Sequence, residues 1–524
     1  MPDLLIVGTL HTMDPARPRA GAALVRGTRF VRVGTREECE KEAREGLKFI
    51  ELGAGCAVPG IIDAHGHPLL HGRMLAEVRL SGARSEQECV ERVAKYAQLV
   101  PPGAWIRGAG WDQNLWPARD FPGGELLSAA TPGHPVALSR IDVHALWCNA
   151  SALQAAGLDR STVDPPGGRI LRRPDGTPTG VLIDTAMDLV RRAIPPPKPR
   201  EAEEALLRSL QALAAVGITA VHDAAAGAEV LAAYRRLAEN DDLPVRIYAM
   251  IDGQGADLDE RMREWREKPS IGRLTVRAVK LFADGALGSR GAALFDPYED
   301  DSGNTGLWLM DPRELADRVA RVAAAGFQPC VHCIGDQACA QVLQAFTKVP
   351  RDLRPRAEHL QILRARDVPL LKRSGAIASM QPTHATSDAP WAESRLGHNT
   401  DRQRGAYAWR QVLEAGAPLA FGSDFPVEGI DPREGLKAAV ARKSASGAVW
   451  MPEQRLTREE ALHAFTAGAA YAEFAEGRRG SIREGFEADF TVFAKDLLEV
   501  HLDELPKVAV RATVVGGRVE YAGP

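Results

Sequence analysis

No apolar run in this 524-residue chain approaches the roughly 20 residues needed to cross a bilayer. The N-terminus, Met1-Pro2-Asp3-Leu4-Leu5-Ile6-Val7, lacks both a basic stretch and a long apolar one, so no secretory leader is expected and a cytoplasmic location is the reading. Charge of one sign is scarce too. With 65 Lys and Arg against 69 Asp and Glu the net charge is −4, and no basic field or Lys/Arg-rich amphipathic segment invites nucleic acid or a membrane surface. Cysteines are few and odd in number: the seven, at 39, 56, 89, 148, 330, 333 and 339, make no disulfide framework. Cys330 and Cys333 form a C-x-x-C with neither a second pair nor a thioredoxin-like setting, so buried free thiols are expected.

What remains is an ordinary globular composition, 45% hydrophobic and 26% charged, in a chain long enough for several domains or one large barrel with additions. Residues 4–58 read as short strands broken by Gly27 and Gly34, with a helix over Glu37–Glu45. The stretch from Gly480 has the same texture. Between these ends, strands alternate with Ala-rich helical stretches such as Glu201–Ala215, Glu314–Ala325 and Gln337–Phe346. The strands are expected at Ile61–His67, Ile218–His222, Val245–Tyr248, Val276–Phe282, Phe327–His332, Arg356–His359, Ala376–Met380 and Leu419–Asp424. Eight β/α units predict a TIM (β/α)8 barrel over residues 59–478, with its chemistry at the C-terminal ends of the strands. Residues 1–58 and 479–524 are expected to form one small β-sandwich domain from both chain ends.

A long insertion, about 72–190, separates the first strand from the second, far beyond a usual connection. It holds a Gly/Trp cluster from Gly108 to Trp116, the run Arg140-Ile141-Asp142-Val143-His144 and a turn-rich Gly167–Gly180. Leaving the barrel at its catalytic end, it is placed to cover the site. Trp111, Trp116 and Trp147 could equally hold the insertion together. Pro195-Pro196-Pro197-Lys198-Pro199 marks a stiff return to the barrel, and Thr457-Arg458-Glu459-Glu460 a capping box opening a later helix.

The chemistry gathers on strand ends. In Asp63-Ala64-His65-Gly66-His67, extended backbone points both imidazoles to one side, which makes half a metal site. His65 and His67 end strand one, Lys280 lies on strand four, His332 ends five, His359 ends six and Asp424 ends eight. Singly each has a plain explanation: a hydrogen-bonded structural histidine, or an Asp424 that caps a helix. Together the six converge on one rim. Lys280 sits among Val276, Ala278, Val279, Leu281 and Phe282, where an ammonium is costly unless it is paired, reaches solvent or is neutralised. Burial lowers a lysine's pKa, and the neutral amine can add carbon dioxide to form a carbamate, whose two oxygens could bridge two cations. Pairing with Asp284 is the alternative.

These residues stand in motifs that resemble the amidohydrolase superfamily, and within it the YtcJ-like branch that includes N-substituted formamide deformylase. The motifs are Pro59 to His67, Gly110-Trp111-Asp112-Gln113, Val279 to Arg290, Val331 to Asp336, Glu358-His359, Met380 to His384 and Gly422 to Val427. The resemblance implies that His65, His67 and Asp424 hold one metal, that His332 and His359 hold a second, and that carbamylated Lys280 bridges them. Zinc suits such ligands first, with iron or manganese also fitting. It further implies a hydrolase that cleaves a non-peptide carbon–nitrogen bond of a small-molecule substrate by a metal-activated hydroxide, Asp424 carrying the proton to the departing nitrogen. Asp63 is the candidate to orient an imidazole, His384 to polarise an oxygen, and Trp111, Asp284 and Arg290 to line the pocket. His222 ends strand two and could face the rim, while His11, His134, His144, His398, His463 and His501 are expected to be ordinary. A deaminase, a cyclic-amide hydrolase and a non-catalytic, metal-stabilised regulatory protein stay open as alternatives. So does a homo-oligomer.

Overall fold

The computed structural model describes residues 2–140, 145–195 and 199–523. Ile141, Asp142, Val143 and His144, and the Pro196-Pro197-Lys198 part of the proline run, lie outside the described residues. Two compact units emerge, one of residues Met1–Pro68 with Leu206–Pro524, the other Leu69–Ala205. The second unit is therefore wider at both ends than the insertion expected from sequence.

In the first unit, eight strands pair in parallel and in chain order: Ile61–Gly66, Ile218–Ala226, Arg246–Asp252, Leu274–Phe282, Gln328–Cys333, Arg356–His359, Ile377–Met380 and Leu419–Phe421. Strand one is buried along its whole length, as a strand packed on both faces must be. The ring nearly closes between strands eight and one, where the Asp424 N–H donates to His65 O at 2.7 Å and the His67 N–H to Phe425 O at 2.9 Å. Those two bonds also fix three candidate ligands beside one another. Amphipathic helices follow strands four and five, Pro312–Ala324 and Asp336–Phe346, each turning apolar residues inward.

The chain ends do pair. Lys48–Pro59 runs parallel to Leu4–His11 on one side and antiparallel to Phe490–Phe493 on the other, within a seven-stranded sheet. The sheet folds over itself into a sandwich: the ring of Phe30 meets that of Phe490 at 5.9 Å although their strands lie four places apart in its order. Gly60 joins this sheet to barrel strand one, and a Cβ there would meet Thr219 Oγ1 at 2.3 Å. The tightest anchor is ionic. Arg246, opening strand three, donates from Nε and Nη2 to Asp489 at 2.6 and 2.9 Å.

Burial alone would raise the Asp489 carboxyl, but Arg246 holds it below its ordinary value. Asp489→Ala is expected to cost about 2 kcal/mol, because it removes two charge-assisted hydrogen bonds and leaves Arg246 with Glu487 Oε2 at 3.0 Å; the urea midpoint reads this. Since the carboxyl is depressed on folding, its contribution is complete above about pH 4 and fades as pH falls further. The variant should therefore lose less stability on acidification than the parent does.

The second unit is built on a six-stranded sheet in the order Gly168–Arg172, Pro178–Asp184, Ala145–Cys148, Val136–Arg140, Ile106–Trp111, Val78–Arg79. The Gly/Trp cluster is thus split between the strand Ile106–Trp111 and a single 3-10 turn at Gln113–Leu115. Gly110 takes φ +100° and a Cβ on it would meet Ser81 Oγ at 2.2 Å, so the glycine lets the backbones approach. All seven cysteines are free and buried, and no helix among the described residues is long and apolar enough to cross a membrane.

Candidate metal centre

The C-terminal ends of the barrel strands gather two sets of donors around one carboxylate. One ligand atom each from His65, His67 and Asp424 lie within 4.8 Å of one another, and so do those of His359, His384 and Asp424. Asp424 Oδ1 stands 3.2 Å from His67 Nε2 and 3.7 Å from His65 Nε2, while its Oδ2 stands 3.6 Å from His384 Nε2. His332 packs against His359 with ring centroids 4.6 Å apart, but its ligand atom falls outside both sets. Lys280 is buried at 1% exposure, its Nζ 3.2 Å from His65 Nε2. Two of these residues leave the strand conformation to reach the rim: His359 has φ +69° and Asp424 φ +62°. Such backbone is uphill for a residue with a Cβ and clusters at functional sites.

The donors suit a divalent ion. Burial pushes the His65 imidazole down to about 4 and His332 down to about 3, with Lys280 beside them adding to both shifts. Both rings are therefore neutral at pH 7 with a lone pair to offer. Burial would raise the Asp424 carboxyl, yet the surrounding imidazoles, His67 foremost, hold it well below its ordinary value. Nε2 of His332 and Nε2 of His384 are buried without a hydrogen-bond partner. Neutral imidazoles, an ionised carboxylate and orphaned nitrogen atoms make a donor set that a cation completes.

The groups that aim these imidazoles only partly match expectation. Asp63 orients backbone rather than a ring, accepting from the His65 N–H, the Ser423 N–H and the Ser423 hydroxyl at 3.1, 3.1 and 2.6 Å. The His65 ring is aimed instead by Glu358, whose Oε2 lies 2.6 Å from Nδ1, and His359 Nδ1 meets Gln381 Oε1 at 2.8 Å.

Trp111, Asp284 and Arg290, expected from sequence to line the pocket, are not among the described lining residues, although Asp284 Oδ1 lies 3.7 Å from His332 Nε2. Trp111 is fully buried in the core of the second unit against Trp116 and Trp147, and its Nε1–H donates to Leu138 O. Asp284 lies fully buried under the rim, where its carboxylate accepts from the backbone N–H groups of Ala293, Ile334 and Gly335. Arg290 pairs with Asp300 at 3.0 Å and does not line the cavity over the centre.

That cavity encloses about 410 Å³, and the described residues that line it belong to the first unit. Its wall opposite the strand ends comes from His384, Asp388 and Trp391, which share one face of the helix Pro382–Leu396 at i, i+4 and i+7. The i, i+4, i+7 spacing of His384, Asp388 and Trp391 is the sequence signal for this wall. Asp388 accepts from the Tyr407 hydroxyl.

A parallel barrel with neutral imidazoles, a shared carboxylate and a buried lysine at its C-terminal rim is the frame of a metal-dependent hydrolase. The amidohydrolase family model matches residues 48–521, and the chain belongs to that family. It is 33% identical over 525 residues to the YtcJ protein of Bacillus subtilis (strain 168), covering 98% of each. To the N-substituted formamide deformylase of Arthrobacter pascens it is 28% identical, covering 99% of this chain and 98% of that one. A solved metal-dependent hydrolase from Pyrococcus furiosus, itself uncharacterized, superposes with a TM-score of 0.79 at 27% identity, over 95% of this chain and 100% of that one.

Proposed function

We propose that the protein hydrolyses a carbon–nitrogen bond other than a peptide bond in a small neutral molecule, an amide, formamide or cyclic amide. The observation that carries this is Asp424, whose Oδ1 faces His67 and His65 at 3.2 and 3.7 Å while its Oδ2 faces His384 at 3.6 Å in one cavity. His65, His67 and Asp424 would hold one divalent ion and His332 and His359 a second, zinc first, with carbamylated Lys280 between them. Bound there, the ions would supply Lewis acidity, making water acidic near neutral pH and polarising the acceptor oxygen.

The remaining work falls to the chain. Asp424 takes a proton from the attacking water and returns it to the departing nitrogen, which must leave as an amine rather than an amide anion. His384 Nε2, buried and without a hydrogen-bond partner, is the group to meet the substrate oxygen. Phe282, Leu287 and Trp391 supply the cavity's apolar wall and exclude water. The deformylase relative acts on an N-substituted formamide by its name, a bond of the kind this site fits.

Chelation should abolish activity and zinc restore it, with elemental analysis giving metal content. A screen of formamides, amides, lactams and hydantoin-like rings tests the bond. Release of ammonia from an amino-heterocycle would point to a deaminase instead, and no turnover by fully metallated protein would favour the regulatory reading. Charge gives a further prediction. The cavity is lined by Asp388 and Glu428, and Lys280 is the sole Lys or Arg among its lining residues. Within any series of substrates, a carboxylate placed away from the scissile bond should lower kcat/KM by about tenfold relative to its neutral isostere, as expected for about 1.4 kcal/mol of like-charge repulsion.

A further inference from the structure

Barrel interiors are normally filled by layers of apolar side chains. Here the apolar interior cluster is small, Ala224, Tyr248, Met250, Ala278 and Cys330, and a file of charged and polar groups runs past it. It starts at the metal centre, where His65 Nδ1 lies 2.6 Å from Glu358 Oε2. Glu358 meets Arg356, with Oε2 3.3 Å from Nη2 and Oε1 2.8 Å from Nε, the second contact off hydrogen-bond alignment. Arg356 also donates to Ala64 O at 2.7 Å and to Ser379 Oγ at 3.0 Å, and its Nη1 lies 2.8 Å from His222 Nδ1. On its other side His222 Nε2 faces Glu473 Oε2 at 3.6 Å, and Glu473 Oε1 is 2.8 Å from Arg479 Nε, both ion-pair contacts off hydrogen-bond alignment. None of these side chains exceeds 5% exposure.

Donor and acceptor roles along this file are fixed by chemistry. A guanidinium can only donate, so His222 Nδ1 must be the bare nitrogen and its proton must sit on Nε2, toward Glu473. A carboxylate can only accept, so Glu358 must receive the His65 proton at Nδ1, which leaves Nε2 bare on the metal side. Within the file two carboxylates face two guanidiniums, and Arg479 Nη1 also donates to Glu487 Oε2 at 3.3 Å. Desolvating four charges costs several kcal/mol each unless every partner is present, so a residue removed from the middle unsettles both ends.

We infer that His222, in the barrel interior rather than at its rim, is a positioning residue: through Arg356 and Glu358 it holds His65 with Nε2 presented to the metal. This rests on the reading of His65 as a ligand. It assigns His222 a task in the metal centre without contact to the metal, and it explains why two charged residues, Arg356 and Glu358, occupy alternate positions of a fully buried strand.

The test has two arms. Histidine-selective 15N NMR of the protein as purified should find His65 protonated at Nδ1 and His222 at Nε2. This readout does not depend on turnover, and it separates failure of this inference from failure of the hydrolase reading. A proton on His222 Nδ1 overturns the inference. Zinc competition with a chromophoric chelator is the second arm. His222→Leu should raise the zinc dissociation constant by about tenfold, the lower end of the range for groups that orient metal-bound histidines. His222→Gln, whose amide can accept on one side and donate on the other, should recover most of that loss.

Tyr248→Phe is the control, since it removes a buried hydrogen bond to Gln328 while keeping the ring that packs 5.1 Å from that of His222. It should lower the Tm and leave zinc affinity in place. Equal weakening by Tyr248→Phe, or parental affinity in His222→Leu, refutes the role. Should His222→Leu not fold, Glu473→Gln carries the same comparison, keeping volume while removing the charge that His222 faces.

Discussion

Asp424→Asn is expected to lower kcat by about 10²-fold or more while fold and most bound metal persist, the scale of a lost proton shuttle. The choice of asparagine follows from the backbone. Asp424 sits at φ +62°, and its N–H closes the barrel by donating to His65 O at 2.7 Å. Asparagine is the other residue with a Cβ that tolerates left-handed backbone readily, and its carbonyl oxygen can still face one set of imidazoles. Asp424→Ala would add strain and lose that donor, which confounds chemistry with assembly. What asparagine cannot do is accept a proton and give it back at neutral pH. Turnover should therefore fall far more than metal content or Tm, and near-parental kcat in a metallated variant would remove Asp424 from proton transfer.

The barrel was legible in the sequence because its strands are short apolar runs ending in chemistry-bearing residues, and each of the eight lies within a few residues of its expected place. The sandwich at the chain ends was legible for the same reason. Its partners are 400 residues and more apart, yet each segment holds a short apolar run, Cys56-Ala57-Val58 in one and Phe490-Thr491-Val492-Phe493 in the other. The second unit was not legible. Gly108-Ala109-Gly110 looks like a loop by composition and is a strand, because glycines there serve close packing rather than a turn. Trp111 was misread with it: an aromatic beside glycines suits a pocket as well as a core, and only packing decides.

His65, His67, His359 and Asp424 fall in the two donor sets while the ligand atom of His332 does not, and all five were named from residue type and strand position. The groups that aim them were not. Glu358 stood beside His359 in plain view, but whether a strand carboxylate orients an imidazole depends on where the first and sixth strands lie across the barrel, which periodicity does not carry. The same holds for Asp63, which has the right chemistry to hold a ring and instead holds the backbone of Ser423.

Lys280 carries the second large effect. Its Nζ is buried, its nearest polar neighbour is a nitrogen of His65, and no carboxylate lies within ion-pair distance of it among the described residues. Asp284, the partner weighed from sequence, is occupied by three backbone N–H groups instead. Burial lowers the pKa of the amine, and a neutral amine can attack carbon dioxide, forming an N–C bond and releasing one proton to leave an anionic carbamate. That anion would stand beside His65, whose Nε2 lies 3.2 Å from Lys280 Nζ.

Lys280→Ala should reduce activity by about 10³-fold, comparable to losing a preorganised charge in a water-excluded site. The small molecule that restores it identifies the missing group. If the side chain serves as a carbamate, acetate or propionate entering the vacated space should recover part of the activity and of the metal content. If it serves as a plain amine, ethylamine should rescue and the carboxylates should not. Rescue by the amine alone would exclude the carbamate while leaving the imidazole sets and Asp424 as the basis for binding the ions.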